Sequence, residues 1–273
     1  MSIGKERIKR DIEALSTFNT TPGQGYTRFS YSEADRGARA YLMGQFDALG
    51  LSVSVDGVGN IRARLAGANR GAPAVMTGSH IDTVRHGGKY DGVVGLVCGL
   101  EVVRSFVEEG RKLIHPVEIV VFAEEEGSNF MVTMAGSKAM TGSFSVHDLK
   151  RLVNDEGVSM YETVRRFGLN PDRLAAEVIR AGELKAMIEV HIEQEQGAVL
   201  DEEKVSLGIV EAIAGIRTFS IEVEGGIQPC RRNPHAPAEE PHDGRCEDHR
   251  RAGRYRHKGG NLNNGGHDGE NPL

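Results

Sequence analysis

Cysteine is scarce in this sequence. The 273 residues include only Cys98, Cys230 and Cys246. They form no regular framework, which argues against a disulfide scaffold and fits a reducing compartment. Long hydrophobic runs are also missing: no uninterrupted apolar stretch reaches the ~20 residues that cross a bilayer. The N-terminal MSIGKERIKRDIEAL is charged and reads as an amphipathic helix, without the apolar core of a secretory signal. Nor is there an excess of positive charge. The net charge is −6 and the pI about 6.0, so nothing points to nucleic acid or to an anionic membrane surface. What is present is ordinary globular composition, 39% hydrophobic and 26% charged, long enough for a large core and more than one domain. The expectation is a soluble cytoplasmic protein.

Hydrophobic periodicity predicts helices over Ser32–Leu49 and Gly92–Glu109. In the first, Tyr41, Leu42, Phe46 and Leu49 share one side, with Ser32 as the N-cap and Gly50 as the stop. In the second, Val94, Leu96, Val97, Leu100, Val103 and Phe106 should be buried. Leu51–Val55 and Asn60–Leu65 read as strands joined through Asp56-Gly57-Val58-Gly59. Further strands are expected at Ala74–Thr77, running into Gly78-Ser79-His80, at Val117–Ala123 and at Ala186–Val190. Ser206–Ala212 and Arg217–Val223 look like strands leading out of the domain. Alternating strands and helices argue for an α/β fold with a mostly parallel sheet, in which ligands sit beyond the carboxyl ends of strands.

Three segments carry chemistry: GSHIDTVRHGGKYDG at Gly78–Gly92, VVFAEEEGSNF at Val120–Phe130 and IEVHIEQ at Ile188–Gln194. Each falls at a predicted strand end. Together they supply His80, Asp91, Glu126 and His191 as candidate ligands for two divalent ions. Imidazole and carboxylate suit Zn2+, and also Mn2+ or Co2+. Two ions about 3.5–4 Å apart need a shared ligand, and Asp91 could give one oxygen to each. Asp82, two residues after His80, could hold the second imidazole nitrogen and fix its tautomer. Glu125, beside a ligand but free itself, is the candidate general base for metal-assisted hydrolysis. Gly87, Gly88 and Gly92 would let the backbone approach closely. Taken singly, His80 after a strand, an EEE run or His191 would each be unremarkable. Their joint occurrence favours a metal site. His86 and His115 read as loop residues.

These segments, with AGSKAMTG and GIVEAIAG, resemble the hydantoinase/carbamoylase amidases. That family includes N-carbamoyl-L-amino-acid hydrolase, allantoate amidohydrolase and β-ureidopropionase, and is related to the di-metal peptidases. The resemblance covers about residues 5–225, and AEEEGS together with HIEQ favours the amidase branch. It implies a mixed, mostly parallel sheet with helices on both faces, as in di-zinc aminopeptidases. It implies two divalent ions held by His80, Asp91, Glu126 and His191, with Glu125 as base and Gln194 and Arg217 as substrate contacts. The expected substrates are small carbamoyl or ureido compounds, cleaved at a linear C–N bond. The intact family forms homodimers. One local departure is IEQEQGAVL, where Glu195-Gln196 stands as an insertion. A di-metal peptidase and a non-catalytic metal-binding remnant are the alternatives.

The pattern breaks after Gly225. The resemblance implies residues 1–213 as an incomplete catalytic domain and 214–225 as the start of a lid or dimerisation domain. That domain should open with a segment like SHAGATPM, and a later histidine should complete the metal set. Residues 226–273 carry instead five of the ten histidines and seven arginines, with Ile227, Leu262 and Leu273 as the only large aliphatic residues. Such a tail cannot offset its ordering entropy by burial and is expected to be disordered. Codons permitted for Gly226–Pro237, read one nucleotide later, give Ala-Phe-Ser-His-Ala-Gly-Ala-Thr-Pro-Met-Arg, the missing motif in its place. The same shift over Pro241–Ala252 permits Arg-Met-Met-Ala-Gly-Ala-Lys-Ile-Ile-Ala-Gly. A frameshift near residue 225 is therefore expected, with little or no turnover by the polypeptide as written.

Overall fold

A computed structural model describes residues 3–69, 71–194 and 199–213. Contacts group Met1–Val210 as one unit and Glu211–Leu273 as another; every element below lies in the first. The order is α1 (Lys5–Ser16), α2 (Glu33–Ala48), β1 (Ser52–Val55), β2 (Ile61–Leu65), β3 (Ala74–His80), α3 (Val93–Glu108), β4 (Val117–Phe122), α4 (Ala135–Met140), α5 (Val146–Arg151), α6 (Met160–Arg166), a 3-10 turn (Pro171–Ala176), β5 (Leu184–Ile188) and α7 (Val199–Glu203). Ser32 caps α2 as expected, its hydroxyl accepting from the Asp35 N–H.

The strands form one mixed sheet in the order β1-β2-β4-β3-β5. The β1–β2 hairpin runs antiparallel, and β2 meets β4 antiparallel. The site half, β4-β3-β5, is parallel, with His80 opposite Phe122 and Thr77 opposite Ile188. Four of the five strands, β1, β3, β4 and β5, therefore run the same way and only β2 is reversed, which is the mixed, mostly parallel sheet expected.

Alternation along β4 divides the core. Ile119 and Val121 face one cluster with Leu15 of α1, Leu42 and Phe46 of α2, and Leu96 and Leu100 of α3. Val120 and Phe122 face the other side, with Met76 and Met140. Helices therefore cover both faces. The chain leaves β3 toward α3 on one face and leaves β4 toward α4 on the other. The loops after these two adjacent strands diverge and open a crevice at their carboxyl ends, where ligands bind in open α/β sheets.

Two expectations are corrected. Ser206–Ala212 forms no strand: residues 206–213 have no regular structure. They are rich in apolar side chains, but no neighbouring strand pairs with them among the described residues, and an unpaired strand leaves its backbone groups to solvent. On α3, Leu96, Val97, Leu100 and Val103 are buried as expected, but Val94 and Phe106 are only half-buried, because the buried face also takes Glu101 and Arg104. Arg104 pairs with Asp11 of α1, which also accepts from the Tyr41 hydroxyl at 2.6 Å. Glu101 accepts from Arg7 at 2.6 Å and from the Gly4 N–H at 2.7 Å. Arg217–Val223, the insertion Glu195-Gln196, and the segments 214–225 and 226–273 lie outside the described residues. Among those described, no helix is long and apolar enough to cross a membrane.

This ionic lattice pins the first helix to α3. Asp11→Ala should cost about 3 kcal/mol, the low end for breaking a buried pair, since Glu101 stays near Arg104. Urea unfolding of the two chains at equal pH measures the difference.

Candidate metal centre

The crevice collects the sequence-predicted residues from three strand ends. His80 closes β3 and is 2% exposed. Asp91 precedes α3. Glu125 and Glu126 follow β4, and His191 follows β5. One ligand atom each from His80, Asp91 and His191 lies within 4.8 Å of the others, forming a candidate metal-binding group among the described residues. His80 Nε2 is 3.6 Å and His191 Nε2 3.1 Å from the same oxygen, Asp91 Oδ1. The two rings lie nearly parallel, 6.1 Å apart.

Two glycines make this approach possible. Gly92 stands at φ +63°, and a Cβ there would lie 2.6 Å from the His80 ring. Gly95, one turn into α3, would place a Cβ 2.0 Å from the Val190 carbonyl oxygen. The helix backbone therefore rests directly on the peptide before His191. Gly88, by contrast, faces open space.

The neighbouring groups differ in detail from their expected roles. Asp82 holds His80 Nδ1 through its backbone carbonyl, at 3.0 Å. Its carboxylate Oδ1 stands 3.8 Å from Nδ1 and has no hydrogen-bond partner, while Oδ2 accepts from the Glu126 N–H at 3.0 Å. Glu125 Oε2 is 3.7 Å from His80 Nε2. Glu126 stands outside the three-residue group, although it feels the charges of Asp91 and His80. The Gln194 amide donates to Asp91 Oδ2, so that oxygen is engaged by Gln194 rather than free to bridge. Arg217 lies outside the described residues. His86 and His115 are loop residues, as expected, each with Nδ1 against a backbone carbonyl.

Electrostatics separate the carboxyls. Hydrogen bonds from His191 and then His80 hold Asp91 well below the usual carboxylate range. Burial, then the Asp91 charge, pushes Glu126 up to about 7. Burial also raises Glu125 and Asp82. His191 is pushed up to about 9, first by its bond to Asp91. His80 also reaches about 9: burial opposes its charge, and Asp91, Asp82 and Glu125 outweigh that cost. Two imidazoles around one carboxylate make a donor set suited to a divalent ion of the zinc or manganese type. The orphaned buried Oδ1 of Asp82 adds negative charge behind His80 that a bound cation would offset.

Two features escaped the sequence. Ser79 donates to Glu189 at 2.5 Å, tying β3 to the peptide leading into His191. Gly95 and Gly99 sit four apart on α3, and a Cβ at Gly99 would come 3.0 Å from Thr77. Glycine at that spacing inside a helix is the signal that could have revealed the close packing.

A family model described as Peptidase family M20/M25/M40 matches residues 76–248. The chain belongs to that family. Within M20/M25/M40, it is 40% identical over 220 residues to an N-carbamoyl-L-amino-acid amidohydrolase from Paenarthrobacter aurescens, a match covering 81% of this chain and 53% of the relative. It is 35% identical over 226 residues to a ureidoglycolate hydrolase from Oryza sativa subsp. japonica, covering 82% and 46%. A solved hydantoinase/carbamoylase family amidase from Burkholderia ambifaria superposes with a TM-score of 0.67 at 34% identity, covering 74% and 48%. The chain spans about half the length of the curated relatives it matches.

Two outcomes are expected of the metal-free chain. The raised imidazole values stabilise the fold fully below their ordinary 6.5, and that contribution is lost as pH rises through about 9. The raised Glu126 carboxyl acts in the same direction, penalising the fold as pH climbs from 4.5 past about 7. Urea midpoints should therefore fall between pH 6.5 and 9, and His191→Asn should flatten that fall. Gly95→Ala should push His191 away from Asp91. Its imidazole, followed by proton NMR, should then titrate closer to 6.5 than to 9.

Proposed function

We propose that this chain carries the metal-binding part of a hydrolase acting on linear carbamoyl or ureido C–N bonds. The convergence of His80 and His191 on one Asp91 oxygen is the observation that carries this assignment, and the relatives named for carbamoyl and ureido substrates supply its chemistry. His80, Asp91 and His191 would hold one divalent ion. Glu126 would complete a second position when its carboxyl loses its proton, and Asp91 would bridge once Gln194 releases Oδ2. Zn2+, Mn2+ and Co2+ all suit these donors. Bound ions supply positive charge that polarises a carbonyl and acidifies water.

The residues do the rest. Glu125, raised by burial and standing 3.7 Å from His80, is the proton carrier. It takes a proton from the attacking water as oxygen joins the carbonyl carbon, then gives it to the nitrogen as the C–N bond breaks. Asp82 locks His80 from behind through its carbonyl and tethers Glu126 through its carboxylate. Gln194 and Arg217 are the proposed substrate contacts, and the intact protein would be a cytoplasmic homodimer. A frameshift near residue 225 remains part of this proposal. It implies that the lid histidine and the last metal ligand are missing from this polypeptide. Losing one such oxyanion donor costs about 10²–10³ in rate.

The family description favours one second reading, a peptidase. A single panel separates the possibilities. The purified full chain, loaded with Zn2+, Mn2+ or Co2+, is assayed on N-carbamoyl-L-amino acids, ureidoglycolate, allantoate and dipeptides, with bound metal counted by elemental analysis. The expected result is bound metal and little or no turnover, with any residual rate on carbamoyl or ureido substrates and abolished by Glu125→Gln. Ordinary rates on those substrates would refute the loss of function. Preference for dipeptides would support the peptidase, and absence of bound metal would sink the metal assignment. Sequencing the DNA across codon 226 tests the frameshift directly.

Metal uptake should also release protons near pH 7, because both imidazoles are protonated below about 9 in the metal-free chain. Calorimetry in buffers of different ionisation enthalpy measures that release.

A further inference from the structure

Glu124 begins the EEE run but takes no part in the chemistry assigned to Glu125 and Glu126. It is 1% exposed. Its side chain turns inward, and Oε1 accepts from the N–H groups of both Asn129 and Phe130, at 3.1 Å each. The Glu124 N–H donates to Ser30 Oγ at 2.9 Å, and the Asn129 amide donates to the Ser30 carbonyl at 3.2 Å. The far end of the loop closes on the same residues. Ala135 N–H donates to the Glu124 carbonyl at 3.0 Å, and Met134 N–H to the Glu125 carbonyl at 2.7 Å.

Glu124 adopts φ +49°, a left-handed conformation unusual for glutamate, and Gly127 follows at +70°. The left-handed step breaks the alternation of β4 at its end. Phe130 then anchors the loop in a separate apolar cluster, with Tyr31 and Leu149. The second carboxyl oxygen, Oε2, is buried without a partner. An inward carboxyl with an unpaired oxygen is costly, and burial raises Glu124 to about 8. The reach of the side chain to two successive N–H groups is what this arrangement gains.

We propose that Glu124 is a positioning residue that templates the 124–135 loop, so that Glu125 and Glu126 are delivered to the His80–Asp91–His191 group. This deepens the metal-centre reading above and rests on it. The role belongs to the length and acceptor oxygen of the side chain and not to its charge. Glu124→Gln keeps Oε1 in place and should keep the loop. Glu124→Asp keeps the charge but withdraws it by one methylene, so it cannot reach both N–H groups. Glu124→Ala removes the acceptor altogether.

The test uses the full chain and two readouts. Zn2+ affinity is measured by competition with a chromophoric chelator at fixed pH. Amide exchange of the segment containing Asn129 and Phe130 is followed by mass spectrometry without metal. Glu124→Asp and Glu124→Ala should each weaken Zn2+ by about 10–100-fold, the usual effect of losing a group that orients metal ligands. Both should also speed exchange at 129–130. Glu124→Gln should stay within about threefold of wild type in affinity and match it in exchange. Wild-type affinity and exchange in Glu124→Asp would overturn the proposal. So would a loss in Glu124→Gln alone, which would assign the role to charge. Should Glu124→Ala fail to fold, the Asp and Gln pair still decides. If the wild-type chain binds no Zn2+, the metal assignment fails, and the exchange readout alone judges whether Glu124 templates the loop.

Discussion

Asp91 Oδ1 is the atom around which this protein is organised. Two imidazoles approach it from β3 and from the end of β5. His80 is buried and keeps a charge there only because it is paired, while Asp91 is half-buried and His191 meets the same oxygen from the exposed side. The parallel register brings the ends of β3 and β4 level, and β5 stops opposite Thr77 so that the peptide after it carries His191 up to them. The divergence of α3 and α4 to opposite faces leaves the space above them open. Gly92 and Gly95 then allow α3 to start close enough for Asp91 to sit between the rings. Changing any of these would leave the charged groups stranded.

Much of this was legible in the sequence because the signals were local. The Ser32 cap, the apolar stripe of α2 and the β-branched Ile119-Val120-Val121 of β4 depend on neighbours within a few residues, and they appear where expected. The candidate ligands were readable because His80 closes a strand and the others lie in the short loops that follow β3, β4 and β5. What stayed hidden depended on distant partners. Glu101 and Arg104 look like the solvent side of α3, and it takes distant partners, Arg7 for Glu101 and Asp11 for Arg104, to make their burial tolerable. Three consecutive glutamates are chemically identical. Nothing local shows that the first turns inward, because its partners are the loop amides of Asn129 and Phe130. The apolar residues of Ser206–Ala212 could not reveal that no strand lies beside them among the described residues. Gln194 was expected to face substrate, and its bond to Asp91 depends on how β5 is placed against α3.

The charge pattern has a common logic at both ends of the unit. Between α1 and α3, arginines answer buried acids. In the crevice, imidazoles do the same, but their charge depends on pH. The first arrangement is permanent because arginine stays protonated. The second is exchangeable, since a divalent ion can replace the protons without moving the backbone far.

The edge strand gives this site an unusual mechanical footing. Among the described residues β5, five residues long, pairs only with β3, and Met187 and Ile188 are 41% and 60% exposed. Short, thinly covered edge segments open locally at a small fraction of the free energy needed to unfold a whole domain. His191 hangs from the end of that strand, secured by the Asp91 contact and by Ser79 holding Glu189. Whatever occupies the crevice and grips His191 therefore also fastens the last strand to the sheet. Occupancy and edge order become one equilibrium, and the affinity measured at the site includes the work of closing the sheet.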